Sequence, residues 1–344
     1  MSTQLLNTLF VLTQGAYVHL EGETIKVEAE GKTLNQVPLH HIGAIVVMGN
    51  VSVSPFFVHR CAEDGRALSW LTQGGRFKAR IEGPASGNVL LRRAQYDAQA
   101  SREYSTAIAR WIVDGKIRNV KATLLRGSRE STDAEVSARL SDAARSMDKQ
   151  IEALAQNPEI DSVRGIEGAA GRTYFGVFDL LIRAQKDAFT FKGRSRRPPT
   201  DRVNALLSFL YALLVTECAG AAQGVGLDPQ VGFLHTLRPG RPALALDLME
   251  ELRPVFVDRL ALAMINLRQI QAAHFEDRPG GAVYLNEKGR KEVIIAYQKR
   301  KQTELTHAAL DRKVPLGLVP HVQARLLARY LRNDCKQYVP FVLR

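Results

Sequence analysis

The sequence predicts an α+β protein of two domains, with a small β-rich domain over residues 1–85 and an all-α domain over residues 86–344. Before residue 85, short runs of β-forming residues are separated by glycine-containing turns, as in hairpins of a small sheet or sandwich. After the Pro-Ala-Ser-Gly segment at 84–87, long stretches rich in Ala, Leu, Arg and Gln have helical character. A chain of 344 residues can bury one large or two ordinary cores.

The first domain is expected to hold several strands and one short helix. The helix is predicted over Pro55–Ala62, with Ser54 as its N-cap and Pro55 at the first helical position. The strands are predicted at Thr8–Leu12, Tyr17–Leu20, Thr24–Ala29, Ala44–Met48 and Ala67–Leu71.

The second domain is expected to consist of long helices. They are predicted over residues 88–125, 134–155, 198–222 and 243–273. Pro254 should kink or split the last of these, because proline cannot donate the backbone hydrogen bond of a helix. Ala205–Ala222 is the most apolar run, but Ser208, Thr216 and Glu217 interrupt it, which favours a buried core helix over a membrane span.

The charge is distributed unevenly between the two domains. The chain has a formal net charge of +12, yet residues 1–85 contain seven basic and seven acidic side chains, so the excess belongs to residues 86–344. Phe189–Arg202 and Lys288–Lys301 are the two basic runs; the first contains Lys192, Arg194, Arg196, Arg197 and Arg202. Such runs are often only solvated faces, but here they favour a binding track for a nucleic acid.

The three cysteines and the N-terminal sequence suggest the compartment. Cys61, Cys218 and Cys335 are odd in number and show no C-x-x-C spacing, as expected of reduced thiols. The N-terminus lacks a basic region followed by an apolar stretch, so no signal peptide is predicted. Both observations favour a cytoplasmic protein.

Glu167, His235, Asp247 and Glu250 are the candidate functional residues. Asp247 can share a helix face with Glu250 or Glu251. Carboxylates with one imidazole and no thiolate suit Mn²⁺ or Mg²⁺, and such sites often act on phosphodiesters.

Each candidate has an ordinary structural alternative. Glu167 can lie solvated at the edge of a tight helix crossing made by its neighbouring glycines, and His235 can be a hydrogen-bonded structural residue. Arg238 and Arg241 flank a Pro-Gly turn, where they can pair with the acids or hold a phosphate.

Four strings in the second domain resemble the integrase-endonuclease family of CRISPR spacer acquisition. They are Arg-Gly-Ile-Glu-Gly-Ala-Ala (164–170), Arg-Arg-Pro-Pro-Thr-Asp-Arg-Val-Asn-Ala-Leu-Leu-Ser (196–208), Leu-Asp-Pro-Gln-Val-Gly-Phe-Leu-His (227–235) and Leu-Ala-Leu-Asp-Leu-Met-Glu-Glu-Leu-Arg-Pro (244–254). They occur in the family's order between residues 164 and 254, and the chain most resembles members that accompany subtype I-C systems.

The resemblance implies a catalytic site with one Mn²⁺ or Mg²⁺ ion. It assigns Glu167, His235 and Glu250 as ligands, with Asp247 as a supporting residue or alternate ligand. It also implies a homodimer formed through the N-terminal domains and a complex with a small ferredoxin-fold adaptation protein.

The expected activity is the joining of prespacer 3′-hydroxyl ends to double-stranded DNA of a CRISPR repeat by transesterification. Arg238, Arg241 and the basic loop around Lys192 would contact DNA. Two alternatives stay open, namely a stand-alone endonuclease for branched DNA and a DNA-binding scaffold without catalysis.

Overall fold

The computed structural model describes residues 8–81, 83, 89–196 and 198–343. The chain divides into two compact units, Met1–Gly87 and Asn88–Arg344.

The first unit is built from two four-stranded sheets and one helix. Its elements are β1 (Thr8–Val11), β2 (Tyr17–Glu21), β3 (Thr24–Ala29), β4 (Lys32–Pro38), β5 (Ala44–Met48), β6 (Ser52–Val53), α1 (Pro55–Glu63), β7 (Ala67–Leu71) and β8 (Phe77–Arg80). One sheet has the order β1-β5-β7-β8, in which β1, β5 and β7 are parallel, and the other has the order β4-β3-β2-β6. The strands predicted from alternation are confirmed within one residue at their ends.

The core of this unit follows from the strand pattern. In β3, Ile25 and Val27 are buried while the residues between and beside them are more exposed, so one face of the strand packs inward. Ser54 caps α1 by accepting a hydrogen bond from the Phe57 amide at 3.1 Å, which confirms the predicted helix start. β4 was not predicted because it is an exposed edge strand of mainly polar sequence.

The second unit is mainly helical. Its helices are α2 (Val89–Ala100), α3 (Arg102–Glu130), α4 (Ala134–Ala155), α5 (Ile160–Gly176), α6 (Arg202–Gly224), α7 (Ala243–Glu250), α8 (Arg259–Asn266), α9 (Glu287–Lys301) and α10 (Val319–Leu331). The long α3 packs against α4, α5 and α7. α6 is apolar enough to cross a membrane, but 67% of its most apolar window is buried, as in a core helix.

The expectation that this unit is all-α needs correction. Two antiparallel hairpins interrupt the helices: β9 (Phe275–Arg278) pairs with β10 (Ala282–Leu285), and β11 (Glu304–His307) pairs with β12 (Arg312–Pro315). Gly280 and Gly281 turn the first hairpin with φ of +84° and +75°, values that glycine adopts without strain. The second hairpin turns through Asp311 at φ +47°.

Pro254 splits the last predicted helix, as expected. α7 ends at Glu250, a π-helical turn spans Arg253–Asp258, and α8 follows. The missing N–H of Pro254 breaks the regular hydrogen-bond ladder at this point. The widened turn lies directly after the acids at the end of α7.

Candidate metal centre

The loop before α7 and the first turns of that helix are held together by Asp247. Its Oδ2 accepts hydrogen bonds from the amides of Phe233 (2.6 Å) and Leu234 (3.0 Å), and its Oδ1 accepts one from the amide of His235 (3.0 Å). Asp247 is completely buried. A Cβ at Gly232 would come within 2.7 Å of Asp247 Oδ2, so only glycine allows this close approach of loop and helix.

Asp247 also fixes the imidazole of His235. His235 Nδ1 lies 2.7 Å from Asp247 Oδ1, and since an ionised carboxylate can only accept, Nδ1 carries the proton. The lone pair is then on Nε2, which faces Glu250 Oε1 at 3.9 Å. A carboxylate that orients a histidine in this way is the usual support of a metal-binding imidazole. In this geometry Asp247 positions His235.

Glu250 and Glu167 share one cation. The Lys116 ammonium from α3 lies 2.6 Å from Glu250 Oε2 and also contacts Glu167 Oε1 on α5. Glu250 is buried, and its Oε1 accepts a hydrogen bond from Arg253 at 2.5 Å. Glu167 is partly exposed. Three helices and the π-helical turn thus bring two carboxylates and two cations together.

The charges keep Glu250 ionised despite its burial. Burial alone raises the pKa of a carboxyl group, but Arg253, Lys116 and His235 together outweigh it and hold the pKa of Glu250 well below its usual range. The side chain is therefore an anion available to a cation.

The residues present fit a hard divalent ion by their chemistry. The Lys116 ammonium already occupies a position shared by the two carboxylates, so a cation is stable there. Among the described residues, Glu250 Oε2 accepts no well-aligned hydrogen bond although it is buried. With Nε2 of His235, the donor set is two carboxylates and one imidazole, which suits Mn²⁺ or Mg²⁺. Within the described residues, no three acid, histidine or cysteine side chains lie close enough together to hold a metal ion as they stand.

The glycines around Glu167 lie on an open helix face. A Cβ added at Gly165 or Gly171 would meet no heavy atom within 4 Å, so these glycines do not form the tight helix crossing considered from the sequence. Gly168 and Gly171 border a cavity of about 490 Å³ beside Glu167. The cavity is lined by Lys116, Glu167, Gly168, Gly171, Arg172, Phe175, Gly176, Phe191, Lys192, Gly193, Arg194, Arg196 and Arg253.

The first basic run divides into exposed and internal side chains. Lys192 and Arg196 are exposed at the cavity, whereas Arg197 lies outside the described residues. The Arg194 guanidinium donates to Asn204 Oδ1 at 2.5 Å and lies 5.1 Å from the centre of the Tyr211 ring. Arg194 therefore braces the loop from inside.

Arg238 and Arg241 lie at the turn between His235 and α7. Arg238 is exposed, and Gly240 closes the turn with φ +71°. Arg241 is half-buried and donates to Thr236 Oγ1 at 3.3 Å. The cations that pair with Glu250 are Lys116, Arg253 and His235.

The second basic run is a helix with two faces, α9. Lys288, Lys291 and Lys299 are exposed. The other three basic side chains are turned inward: Arg290 donates to Leu285 O, Arg300 donates to Val255 O, and the buried Lys301 pairs with Glu217 at 2.5 Å. Only half of this run is available to a polyanion.

The sequence prediction missed three residues that build the site. Lys116 lies on α3 among mixed apolar and charged residues that form no recognisable motif. Gln95 on α2 donates to the carbonyls of Asp228 (2.9 Å) and Val231 (2.8 Å), which braces the loop before His235. Arg164 on α5 donates to Leu234 O at 2.9 Å and ties α5 to the same loop. Only Arg164 lies inside a string that the sequence singled out.

Comparisons with known proteins agree with this architecture. Residues 9–299 match the sequence model of the family described as CRISPR associated protein Cas1. The CRISPR-associated endonuclease Cas1 1 of Moorella thermoacetica is 54% identical over 340 residues, covering 99% of each chain.

Two solved structures share the fold at low sequence identity. A casposase bound to its integration product superposes with a TM-score of 0.81 at 21% identity, covering 97% of this chain and 93% of that one. A chain of a Cas6-RT-Cas1–Cas2 complex gives 0.81 at 24% identity, covering 98% of this chain and 36% of that one. The fold, the family match and the similarity along the whole chain together show that this protein belongs to the Cas1 family of CRISPR-associated proteins.

Proposed function

We propose that this protein is a divalent-metal-dependent DNA integrase and endonuclease that joins prespacer 3′-hydroxyl ends into a CRISPR array. The observation that carries the proposal is the pair Glu167 and Glu250, which share one cation beside the oriented imidazole of His235. The names of the relatives support the activity: the similar Moorella protein is called an endonuclease.

Glu167, His235 and Glu250 would hold the ion. Bound Mn²⁺ or Mg²⁺ would neutralise charge that develops on the attacked phosphate. Asp247 keeps His235 Nδ1 protonated and its Nε2 directed at Glu250.

The other residues of the site would place the DNA. Lys192 and Arg196 at the cavity, with Arg238 at the exposed turn, are positioned to attract the phosphate backbone. In the reaction, the 3′-hydroxyl oxygen loses its proton and forms a bond to the phosphorus at the edge of the repeat. The bond from that phosphorus to the 3′ oxygen of the adjoining nucleotide breaks, and the departing oxygen takes up a proton. If water replaces the 3′-hydroxyl, the same site cuts DNA.

The proposed partners are a second copy of this chain and a small ferredoxin-fold adaptation protein. The balanced charge of residues 1–85 suits a domain that contacts protein rather than DNA. One structural neighbour comes from a Cas1–Cas2 assembly. We further propose a cytoplasmic location and membership of the subtype I-C branch, which the genes adjacent to this one would test.

A scaffold without catalysis is a second candidate, because one specific observation favours it. Lys116 and Arg253 neutralise Glu167 and Glu250 as ion pairs. In that case metal would change neither stability nor DNA binding, and no product would form. A branched-DNA endonuclease would instead cut junctions without joining ends.

The test uses a labelled prespacer with free 3′-hydroxyls and a supercoiled plasmid that carries a repeat. Joining is followed with Mn²⁺, Mg²⁺ or EDTA, with and without the partner protein, for the wild type and for Glu167→Ala, His235→Ala and Glu250→Ala. We expect metal-dependent joining by the wild type only, with DNA binding retained in all variants. If the protein cuts junctions but does not join ends while the partner is bound, the branched-DNA endonuclease is favoured.

A further inference from the structure

Lys116 is the cation at the centre of the candidate site. Its ammonium contacts a carboxylate oxygen of Glu167 on α5 and one of Glu250 on α7, and its side chain is only 10% exposed. Lysine is rarely buried without a charged partner, so this side chain depends on the two acids. The two acids depend on it in turn, because both carboxylates contact the same ammonium and their like charges would repel each other without it.

The position of Lys116 conflicts with an ion held by the same acids. The oxygens it contacts, Glu167 Oε1 and Glu250 Oε2, belong to two of the three proposed ligands. A divalent ion between these carboxylates would lie beside a positive ammonium, and the repulsion between them would be strong at such a short distance.

We propose that Lys116 is a resident counter-cation, which holds Glu167 and Glu250 together in the metal-free protein and is displaced when a divalent ion binds. This inference rests on the metal site of the proposed function. The cavity of about 490 Å³ offers room for the displaced side chain, since Lys116 and Glu167 both line it. Lys116 thus lowers the affinity for metal while it preserves the shape of the empty site.

The first test is a Mn²⁺ titration by calorimetry, without DNA, of the wild type, Lys116→Met and Lys121→Met. Lys121 is the matched control, because it lies on the same helix and pairs with Asp148 at 2.5 Å outside the site. We expect Lys116→Met to bind Mn²⁺ at least about 10-fold more tightly, since no ammonium competes for the carboxylates. Lys121→Met should bind like the wild type.

The second readout is thermal stability without metal. In EDTA, Lys116→Met should melt at a lower temperature than the wild type, because the buried Glu250 and the partly exposed Glu167 lose their shared cation. Saturating Mn²⁺ should raise its melting temperature by more than it raises that of the wild type. Lys116→Gln keeps a hydrogen-bonding head without charge and should behave in the same way if Lys116→Met does not fold.

A pair of wild-type crystal structures tests the inference without any variant. In EDTA, Lys116 Nζ should contact both carboxylates, and with Mn²⁺ it should lie more than about 4 Å from Glu250 Oε2, beyond ion-pair distance. If Mn²⁺ binds to Glu250 while Lys116 keeps both contacts, the inference is wrong. Unchanged or weaker Mn²⁺ binding by the folded Lys116 variants would also overturn it, while leaving the metal site intact. If neither wild type nor variants bind Mn²⁺, the proposed function itself fails.

Discussion

Two pairs of buried acids lie in the short stretch from Asp247 to Asp258, and they have opposite surroundings. Asp247 and Glu250, the site pair, face the imidazole of His235 and the cations Lys116 and Arg253. Glu251 and Asp258, the core pair, accept hydrogen bonds mainly from uncharged donors. All four are at most 2% exposed.

The core pair braces the fold. Glu251 accepts from the Tyr338 hydroxyl (2.7 Å), Gln323 Nε2 (2.8 Å) and the Phe341 amide (2.6 Å), so it ties the C-terminal segment to α7. Asp258 accepts from the hydroxyls of Tyr174 and Tyr211.

The pKa values follow the surroundings. Burial raises the pKa of Glu251 to about 8 and that of Asp258 to about 6, because their hydrogen bonds do not offset the loss of water. Glu250, equally buried, has a lowered pKa because cations face it. A buried acid beside cations stays ionised and can serve a metal, whereas one among neutral donors tends to keep its proton and hold the structure.

Exchanging the two neighbouring glutamates one at a time should give the largest difference in activity. Glu250→Gln should lower joining and cutting by about 100-fold or more, since it removes a proposed ligand. Glu251→Gln, the matched control, should stay within a few-fold of wild type, because its amide resembles the protonated acid. Strand-joining rates measure both. Equal losses of joining rate in Glu250→Gln and Glu251→Gln would show that the two glutamates do not differ in function.

The pH dependence of stability gives the next largest effect. The raised pKa of Asp258 means that the folded state holds this proton more tightly than the unfolded state does. The contribution of protonated Asp258 to the free energy of unfolding is therefore complete below about pH 4 and is lost as pH rises through about 6. Between these two pH values, Asp258→Asn should remove on the order of 2–3 kcal/mol of the fall in unfolding free energy that the wild type shows. Denaturant unfolding at each pH measures it, and parallel curves for the two proteins would contradict this account.

A smaller loss is expected when the hydroxyl that faces Glu251 is removed. Tyr338→Phe keeps the buried ring but loses a hydrogen bond, which should cost about 1–2 kcal/mol of unfolding free energy. Joining at 25 °C should be nearly unchanged, because the site pair is not touched. A strong loss of joining at wild-type stability would place Glu251 in the reaction instead.

The smallest effect concerns the basic loop. Lys192→Ala should reduce the slope of log K for DNA binding against log salt concentration by about 0.9, the value for one lost phosphate contact. The free energy of unfolding should not change. Arg194→Ala should leave this slope unchanged and should lower stability, because Arg194 bonds to Asn204 inside the loop. Binding isotherms at several salt concentrations distinguish the two, and reversed results would refute the division into exposed and internal cations.

The sequence predicted those parts of the fold that depend on local signals. The Ser54 cap, the alternating strands and the break at Pro254 need only neighbouring residues, and all three are confirmed. The hairpins after α8 were missed because their short strands lie among long helical stretches. Helix spacing places Asp247 on one face with Glu250 or Glu251, and the family resemblance selects Glu250.

Contacts between distant residues could not be predicted. Nothing in the sequence near Lys116 shows that it meets Glu167 and Glu250, which are brought to it by the packing of α5 and α7 on α3. The division between Glu250 and Glu251 was also open, since it depends on the C-terminal segment reaching α7. Helix periodicity places acids on a face, but only tertiary packing decides what that face meets.

A Mn²⁺ titration of the wild type, Glu250→Gln and Glu251→Gln by calorimetry without DNA tests whether the metal binds to the acids that face cations. The wild type and Glu251→Gln should each bind Mn²⁺ with similar affinity, whereas Glu250→Gln should bind at least about 10-fold more weakly. Loss of binding in Glu251→Gln, or full binding in Glu250→Gln, would contradict the assignment of the site to the acids that face cations.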